Sequence, residues 1–350
     1  MKLTPKQQKI IRIFLQKGTM QSSEVHAEMV ASGEEVSLVT VKRTLSKLAE
    51  DGMLTAVGSG RSAGYSVSAV GRVCAEIDAH AYCSIEPDKR YGLHRYNFDL
   101  LPAWPADLFT DGEFKILDDA TAEYKIRTKQ LPQAIQKKEL ERLIIELSWK
   151  SSKIEGNTYT LLDTERLILE NKEAAGHDKK EAKMILNHKD AFNYIRANVV
   201  QFKTITRKNL EELHTILVKD LSVGFGLREK PVGVVGSMYR PLDTTYQISE
   251  AVDALDATVS RATTPYAKAL VALLGIGYIQ PFEDGNKRTS RLMANALLLA
   301  HGRAPLSYRS VDENEYREAM LVFYELNSAM PFKKIFIGQY DFAAKNYAVI

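Results

Sequence analysis

The sequence predicts a mainly α-helical protein that begins with a small mixed α+β domain. Apolar residues recur at helical spacing over most of the chain from Leu131 onward, and two short β-prone runs occur within the first 70 residues. Of the 350 residues, 45% are hydrophobic and 26% are charged, which is typical of a globular protein with two or three domains. We therefore expect a helical bundle that follows a smaller N-terminal domain.

Charge and cysteine content exclude several classes of protein. The net charge is +3, from 47 basic and 44 acidic residues, so the chain as a whole is too balanced to predict nucleic-acid binding. Cys74 and Cys83 lack the paired spacing of a zinc site, and one pair in this length is no disulfide framework. Residues 1–12 lack a long apolar core, and no run reaches membrane-spanning length. We expect a cytoplasmic protein without a membrane segment.

Residues 1–70 are expected to form three helices and then a hairpin. The expected elements are a helix over 4–18, a short helix after Ser22, a helix from Ser37 to Asp51, and strands over 54–57 and 65–67. The tip between the strands is glycine-rich and basic. This order of elements resembles that of bacterial winged-helix regulators.

That resemblance implies DNA as a partner, with the third helix in the major groove. The implied contacts are Lys42, Arg43 and Lys47 on the helix, and Arg61 at the hairpin tip, which would reach phosphate or the minor groove. It also implies a homodimer. The alternative is a module that only packs or dimerises.

Residues 71–130 are rich in proline and aromatic residues, which favours an irregular packed connector without chemistry of its own. From residue 131 to 350 the pattern predicts one helical domain. Besides a first helix over 138–156, helices are expected over 161–170, 181–199, 248–262, 266–279, 314–327 and 332–347.

Residues 280–291 are predicted to form a phosphate-binding loop that opens a buried helix. Gly285 and Asn286 tolerate positive φ, so successive backbone N–H groups can point into one concavity at a helix N-terminus. Arg288 and Arg291 are three residues apart and share a helix face, where two guanidinium groups suit a polyphosphate. Asp284 is a hard oxygen ligand placed for a phosphate-bound Mg²⁺. Together these residues predict a nucleoside triphosphate site.

This stretch resembles the Fic family signature, His-x-Phe-x-Asp/Glu-Gly-Asn-Gly/Lys-Arg-x-x-Arg. The matching residues are Phe282, Asp284, Gly285, Asn286, Lys287, Arg288 and Arg291. The resemblance implies transfer of AMP from ATP to a hydroxyl of a target protein, with the γ-phosphate on Arg291 and Mg²⁺ on Asp284. The general-base histidine is replaced by Gln280, whose carboxamide cannot accept a proton near neutral pH. Loss of a positioned base typically lowers a rate by about 10² to 10⁴.

A second Fic motif occurs upstream, at the end of a helix expected over 138–156. Ser151, Glu155 and Gly156 match the family's inhibitory motif, Ser/Thr-x-x-x-Glu-Gly/Asn. The resemblance implies that Glu155 pairs with Arg291 and occupies the γ-phosphate position, so that ATP is excluded or misaligned.

Residues 229–243 are rich in glycine and proline around short β-prone pieces and are predicted to form a hairpin. By position the segment resembles the flap of Fic proteins, which clamps an extended target segment by strand addition. The implied contacts are Val234, Gly236, Ser237, Met238 and Tyr239.

Three functions stay open at this point. The first is an AMP-transferase that Glu155 inhibits and that Gln280 slows. The second is a catalytically inactive, nucleotide-sensing, DNA-binding regulator, which Gln280 favours. The third is a kinase similar to the Doc branch of the family, because Lys287 is also seen at that position there.

Overall fold

The structure, a computed structural model, describes residues 3–60 and 63–348. Within these ranges it has fifteen α-helices and one two-stranded sheet. The N-terminal elements are α1 (Pro5–Lys17), α2 (Ser22–Ala31), α3 (Leu38–Glu50), β1 (Leu54–Val57), β2 (Gly64–Val67), α4 (Ala69–Val73) and α5 (Ala79–Cys83). The later helices are α6 (Asp111–Gln130), α7 (Gln133–Ile154), α8 (Leu161–Glu170), α9 (Lys179–Ala197), α10 (Arg207–Leu217), α11 (Thr245–Arg261), α12 (Pro265–Ile279), α13 (Asn286–Ala300), α14 (Glu313–Leu326) and α15 (Met330–Asn346). Short 3₁₀ turns cover Pro87–Lys89 and Val199–Lys203.

The first domain has the predicted order of elements. Ser37 caps α3 by accepting a hydrogen bond from the backbone N–H of Thr40, at 3.2 Å. Strands β1 and β2 are antiparallel, with Leu54 opposite Val67 and Val57 opposite Gly64. Apolar side chains of α1, α2 and α3 pack together beneath the sheet, so the basic face of α3 stays outside.

Helices α12 and α13 form the centre of the larger domain. Nearly every side chain of α12 is buried, and α13 packs along it. Helices α7, α9, α10, α11 and α14 surround this pair, so the loop between α12 and α13 lies where several elements meet. That loop is the predicted signature stretch.

Part of the predicted irregular connector is helical. Residues 111–130 form α6, which packs against α15. Its start is fixed by a capping box, in which Thr110 and Glu113 each accept a hydrogen bond from the other's backbone N–H. The apolar pattern of α6 is weak because nine of its twenty residues are charged and few of its apolar residues are buried.

The predicted hairpin over 229–243 is wrong: the described residues there form a loop without a strand ladder. The N–H of Ser237 donates to the carbonyl oxygen of Val234 at 3.1 Å, which makes a turn, and Arg240 forms an isolated bridge with Arg95. The residues that weaken strand pairing are Pro231, Gly233, Gly236 and Pro241. We keep the name flap for residues 229–243.

The helix boundaries differ little from the prediction elsewhere. Helix α7 begins at Gln133 rather than at 138, and it ends at Ile154 with Glu155 as its C-cap. None of the described helices combines the length and the hydropathy that crossing a bilayer requires.

Gly71 tests the packing of α4 against the start of β1. A Cβ at Gly71 would lie 2.1 Å from the backbone carbonyl oxygen of Met53. We expect Gly71→Ala to lower the free energy of unfolding by about 1–3 kcal/mol, because backbone must move. Gly112→Ala, with nothing within 4 Å, is the matched control and should be neutral or slightly stabilising. Chemical denaturation measures both; equal stability of the two variants would contradict the packing described.

Candidate active site

The loop between α12 and α13 turns sharply at two residues. Gln280 ends α12 with φ 51°, and Gly285 precedes α13 with φ 80°. The side chain of Asn286 accepts a hydrogen bond from the N–H of Phe282 at 2.9 Å and donates to its carbonyl oxygen at 2.8 Å. Among the residues that the structure describes, no side chain caps the N-terminus of α13, so its first N–H groups are available to an anion.

His214 supports this loop from below. Its ring stacks on Phe282, with centroids 3.7 Å apart and planes 6° apart. Its Nε2 donates to the carbonyl oxygen of Asp284 at 3.0 Å, since a carbonyl oxygen can only accept. Burial lowers the pKa of His214 to about 4, so the ring is neutral at neutral pH. These contacts give His214 a structural role in holding the loop.

Arg288 and Arg291 lie on one face of α13, as the spacing predicted. Arg288 pairs with Asp284 through Nη2 and Oδ2 at 3.1 Å, and its buried Nη1 has no hydrogen-bond partner among the described residues. Arg291 is fully buried; its Nε donates to the hydroxyl of Ser151 at 2.9 Å and its Nη2 to the Ser151 carbonyl oxygen at 2.8 Å. Its Nη1 donates to the hydroxyl of Tyr316 at 3.3 Å.

Glu155 reaches this cluster from the end of α7. Its Oε1 accepts from Nη2 of Arg291 at 2.8 Å, and its Oε2 lies 3.3 Å from Nζ of Lys287. Burial alone would raise the pKa of Glu155, but the charges of Arg291 and Lys287 and the Arg291 hydrogen bond outweigh burial and lower it. The carboxylate is therefore ionised at neutral pH and holds two of the cations near the start of α13.

Two cations of α7 and α14 secure the end of α7, and sequence reasoning missed both. Arg317 donates to the carbonyl oxygen of Ile154 through Nη2 at 2.7 Å and Nε at 3.2 Å. Lys150, buried on α7, forms an ion pair with Glu313 at the start of α14. A cation at a helix C-terminus is favourable, but nothing in the local sequence shows which distant helix supplies it.

Gln280 lies at the predicted general-base position and is almost fully buried. The side-chain Nε2 of Gln280 donates to the carbonyl oxygen of Gly277 at 2.6 Å. The backbone carbonyl oxygen of Gln280 accepts from Nε of Arg228 at 2.7 Å. The side chain thus donates within α12, and its amide has no basic nitrogen.

Two adjoining cavities open at this loop. The first, of 260 Å³, is lined by the signature loop, Glu155 and flap residues 232–235. The second, of 400 Å³, lies between the end of α7, the flap and α14, and includes Tyr316, Met320 and Tyr324. Glu155 and Lys287 line both cavities, so the ion pair lies at their boundary.

The flap residues differ in accessibility. Val234 is partly buried, and Gly236 and Met238 are exposed. The hydroxyl of Ser237 donates a hydrogen bond to Glu325 of α14. Tyr239, predicted to contact a target, is 1% exposed and stacks between Tyr278 and Tyr324, so that prediction is wrong for this structure. Its hydroxyl donates to the carbonyl oxygen of Tyr278 at 2.8 Å, because a buried tyrosine needs a partner.

The remaining predicted residues lie apart from the loop. Lys42, Arg43 and Lys47 are exposed on α3 in the first domain. Arg61 lies outside the described residues. Within the described part of the chain, no group of three or more His, Cys, Asp or Glu residues could hold a metal ion, so Asp284 stands as a single carboxylate.

Fold and site together define a helical domain in which the carboxylate of Glu155 contacts cations near the N-terminus of α13. Residues 204–298 match the model of the Fic/DOC family, and residues 1–100 match that of the Ferric uptake regulator family. Protein adenylyltransferase Fic of Drosophila willistoni is 36% identical over 167 residues, 47% of this chain and 33% of that protein. The protein of the same name from Drosophila mojavensis is 35% identical over the same length. The chain thus matches only 33% of the length of these relatives.

Solved structures support the fold. Fic-1 of C. elegans superposes with a TM-score of 0.58 at 19% identity, covering 67% of this chain and 71% of that one. A Fic family protein from Desulfovibrio desulfuricans G20 has a TM-score of 0.58 at 21% identity, covering 69% of this chain and 75% of that one. The chain therefore contains a Fic/DOC family domain, and the match of its first 100 residues to the Ferric uptake regulator family fits the winged-helix order of elements there.

The buried neutral His214 makes the site sensitive to acid. Its pKa is about 4 in the folded protein and about 6.5 when unfolded, so its contribution is complete above pH 6.5 and is lost as pH falls toward 4. When the pH falls from 7 to 5, protonation of His214 should cost the unaltered chain up to about 2 kcal/mol of its unfolding free energy. His214→Gln should not lose this part. Glutamine can keep a donor to Asp284. Denaturation at both pH values measures this; identical pH dependence would show that His214 is not neutral and buried.

Proposed function

We propose that this chain transfers AMP from ATP to a hydroxyl group of a target protein, that Glu155 inhibits the transfer, and that Gln280 makes it slow. The observation that carries the proposal is the uncapped N-terminus of α13 beside a cavity, with Lys287, Arg288 and Arg291 around it. Anions bind at such helix ends, and Arg288 has a buried N–H still without a partner among the described residues. The adenylyltransferase relatives support this reaction.

The chemistry is a displacement at phosphorus. The hydroxyl oxygen of the target bonds to the α-phosphorus of ATP, the bond to the pyrophosphate oxygen breaks, and the hydroxyl proton must leave. A histidine at position 280 would accept that proton, whereas Gln280 cannot. Positioning and charge stabilisation by the loop remain, so binding and a slow reaction are both compatible with this chain.

Asp284 suits Mg²⁺ only together with the nucleotide. Mg²⁺ commonly uses one or two protein carboxylates and completes its shell with phosphate oxygens and water. The Asp284 side chain is 66% exposed at the mouth of the loop, and its partner Arg288 would also serve phosphate. When bound, the ion would neutralise phosphate charge.

Glu155 would inhibit by competition for the same cations. Arg291 and Lys287 can bind either the Glu155 carboxylate or phosphate oxygens, and two anions cannot share that space at low cost. The bonds from Arg317 and Lys150 hold α7 in the inhibiting position. A target or nucleotide can shift this balance only by binding more tightly when α7 has moved.

The transferase proposal predicts the outcome of a labelling experiment on four proteins: the chain, Gln280→His, Glu155→Gly, and the double variant. With ATP labelled at the α-phosphate and Mg²⁺, self-labelling should rise by about 10² or more with histidine restored. It should rise further in the double variant, because Arg291 is then free for phosphate. Gel autoradiography of the purified proteins measures both steps.

A parallel reaction with γ-labelled ATP is the control for kinase activity. Label from the α-phosphate alone supports AMP transfer, whereas label from the γ-phosphate alone supports the Doc-like kinase. If no variant is labelled although ATP binds, the transferase proposal fails.

A second function has its own support. The match to the Ferric uptake regulator family and the three exposed basic side chains of α3 favour DNA binding by the first domain, as a dimer. A regulator of this kind would use the phosphate loop to sense ATP without turnover, which Gln280 permits. We further propose a cytoplasmic location, since both cysteines are free thiols.

Salt dependence tests the DNA proposal. Lys42→Ala and Arg43→Ala should each weaken binding to a duplex of about 30 base pairs and reduce the slope of log K against log salt by about 1. Lys17→Ala is the control, because Lys17 is exposed on α1 and pairs with Glu28. Fluorescence anisotropy at several salt concentrations gives the slopes. An equal effect of Lys17→Ala would count against a specific role of α3.

A further inference from the structure

The second half of the flap is attached to the segment that follows the 3₁₀ turn at Pro87–Lys89. The N–H of Arg240 donates to the carbonyl oxygen of His94 at 2.9 Å, and Arg240 and Arg95 form a parallel bridge. The guanidinium of Arg90 donates to the carbonyl oxygen of Gly236 at the flap turn. Residues 90–95 therefore run beside residues 236–240 and hold one edge of the flap.

Glu325 on α14 joins these two segments. Its Oε1 accepts from the hydroxyl of Ser237 at 2.6 Å and lies 3.4 Å from Nη2 of Arg90. Its Oε2 accepts from the hydroxyl of Tyr82 at 2.7 Å. Its backbone carbonyl oxygen accepts from the N–H of Leu93 at 2.6 Å. The buried Glu325 thus contacts the flap, residues 90–95 and α5.

Burial makes this connection strong. The side chains of Arg90 and Glu325 are 3% and 5% exposed, so the ion pair is shielded from water and salt. Arg90 also lies over the ring of Tyr82, 5.7 Å from its centroid. Nη2 of Arg90 contacts both Glu325 and the Gly236 carbonyl oxygen, and the shorter lysine side chain cannot place its ammonium group at the same point with the same donor directions.

The other half of the flap is held far less. Val235 is 97% exposed; residues 232–235 line the cavity of 260 Å³ at the phosphate loop, and Val234 and Val235 also line the cavity of 400 Å³. Because residues 236–240 already lie against residues 90–95, an extended target segment can reach only the edge at 232–235. The anchored half therefore fixes where that open edge lies relative to the loop.

We propose that Arg90 and Glu325 are positioning residues for target docking: their buried pair holds the flap turn so that the edge at 232–235 faces the phosphate loop. This inference rests on the proposed AMP transfer, but the anchoring itself does not require it. Neither residue contacts the cavities, so both act through Gly236 and Ser237.

Hydrogen exchange tests the anchor directly. We would compare Arg90→Lys and Ser237→Ala with Lys89→Ala, a neighbouring lysine whose exposed side chain pairs with Glu86. The readout in both variants is exchange of the N–H of Arg240, which is bonded to the His94 carbonyl oxygen. Exchange of the N–H of Tyr239 is read only in Arg90→Lys, because Ser237→Ala itself removes the Oγ to which that N–H is bonded at 3.1 Å. These N–H groups should exchange about 10-fold faster or more in the anchor variants, but not in Lys89→Ala. The N–H of Thr289, bonded to Gly285, should not change.

A second measurement links the anchor to the reaction. In the Gln280→His, Glu155→Gly background, Arg90→Lys should lower the rate of self-labelling about 5-fold or more, because the docking edge is misplaced. The ATP concentration for half-maximal labelling should not change, since a general loss of structure would move both.

Unchanged exchange of Arg240 in both anchor variants would overturn the proposal, as would an equal rise at Thr289. If the background protein is not labelled at all, the AMP-transfer proposal fails, while the exchange result still decides whether Arg90 and Glu325 hold the flap.

Discussion

The ion pair between Arg291 and Glu155 is the interaction on which the rest of the site depends. Arg291 is fully buried in α13, and a buried guanidinium without an anion is strongly destabilising. Glu155 supplies that anion here, while Ser151 and Tyr316 satisfy the remaining N–H groups. Any polyphosphate that enters the loop would offer Arg291 a second anion in the same place. Under the proposed function, the site would have two alternative sets of partners, and their relative free energies would decide whether the end of α7 stays against the loop.

Helix α14 takes part in both halves of this arrangement. Near its start, Arg317 and Glu313 hold the end of α7 against the phosphate loop. At its other end, Glu325 holds the flap turn. Under the proposed function, nucleotide entry and target docking would both depend on one helix, which also lines the cavity of 400 Å³. A small displacement of α14 would loosen both contacts together, since packed helices move as units.

The elements with strong local signals were predictable from the sequence. The cap at Ser37, the αL turn at Gly285 and the apolar run of α12 each have a local cause, and the structure has them where they were expected. Helix α6 was missed because its apolar residues are sparse, and the flap was given strands that its prolines and glycines do not support. The partners of Glu325 could not be predicted, because they come together only through tertiary packing of segments far apart in the chain.

The central claim is that Glu155 and ATP compete for the same cations, and calorimetric titration of Mg²⁺ and ATP into the unaltered chain and into Glu155→Gly tests it most directly. No turnover is needed, so Gln280 does not affect the result. We expect Glu155→Gly to bind ATP about 10- to 100-fold more tightly, since a charge-assisted pair worth about 1.5–3 kcal/mol no longer has to be broken. Equal affinities of the two proteins would contradict the account.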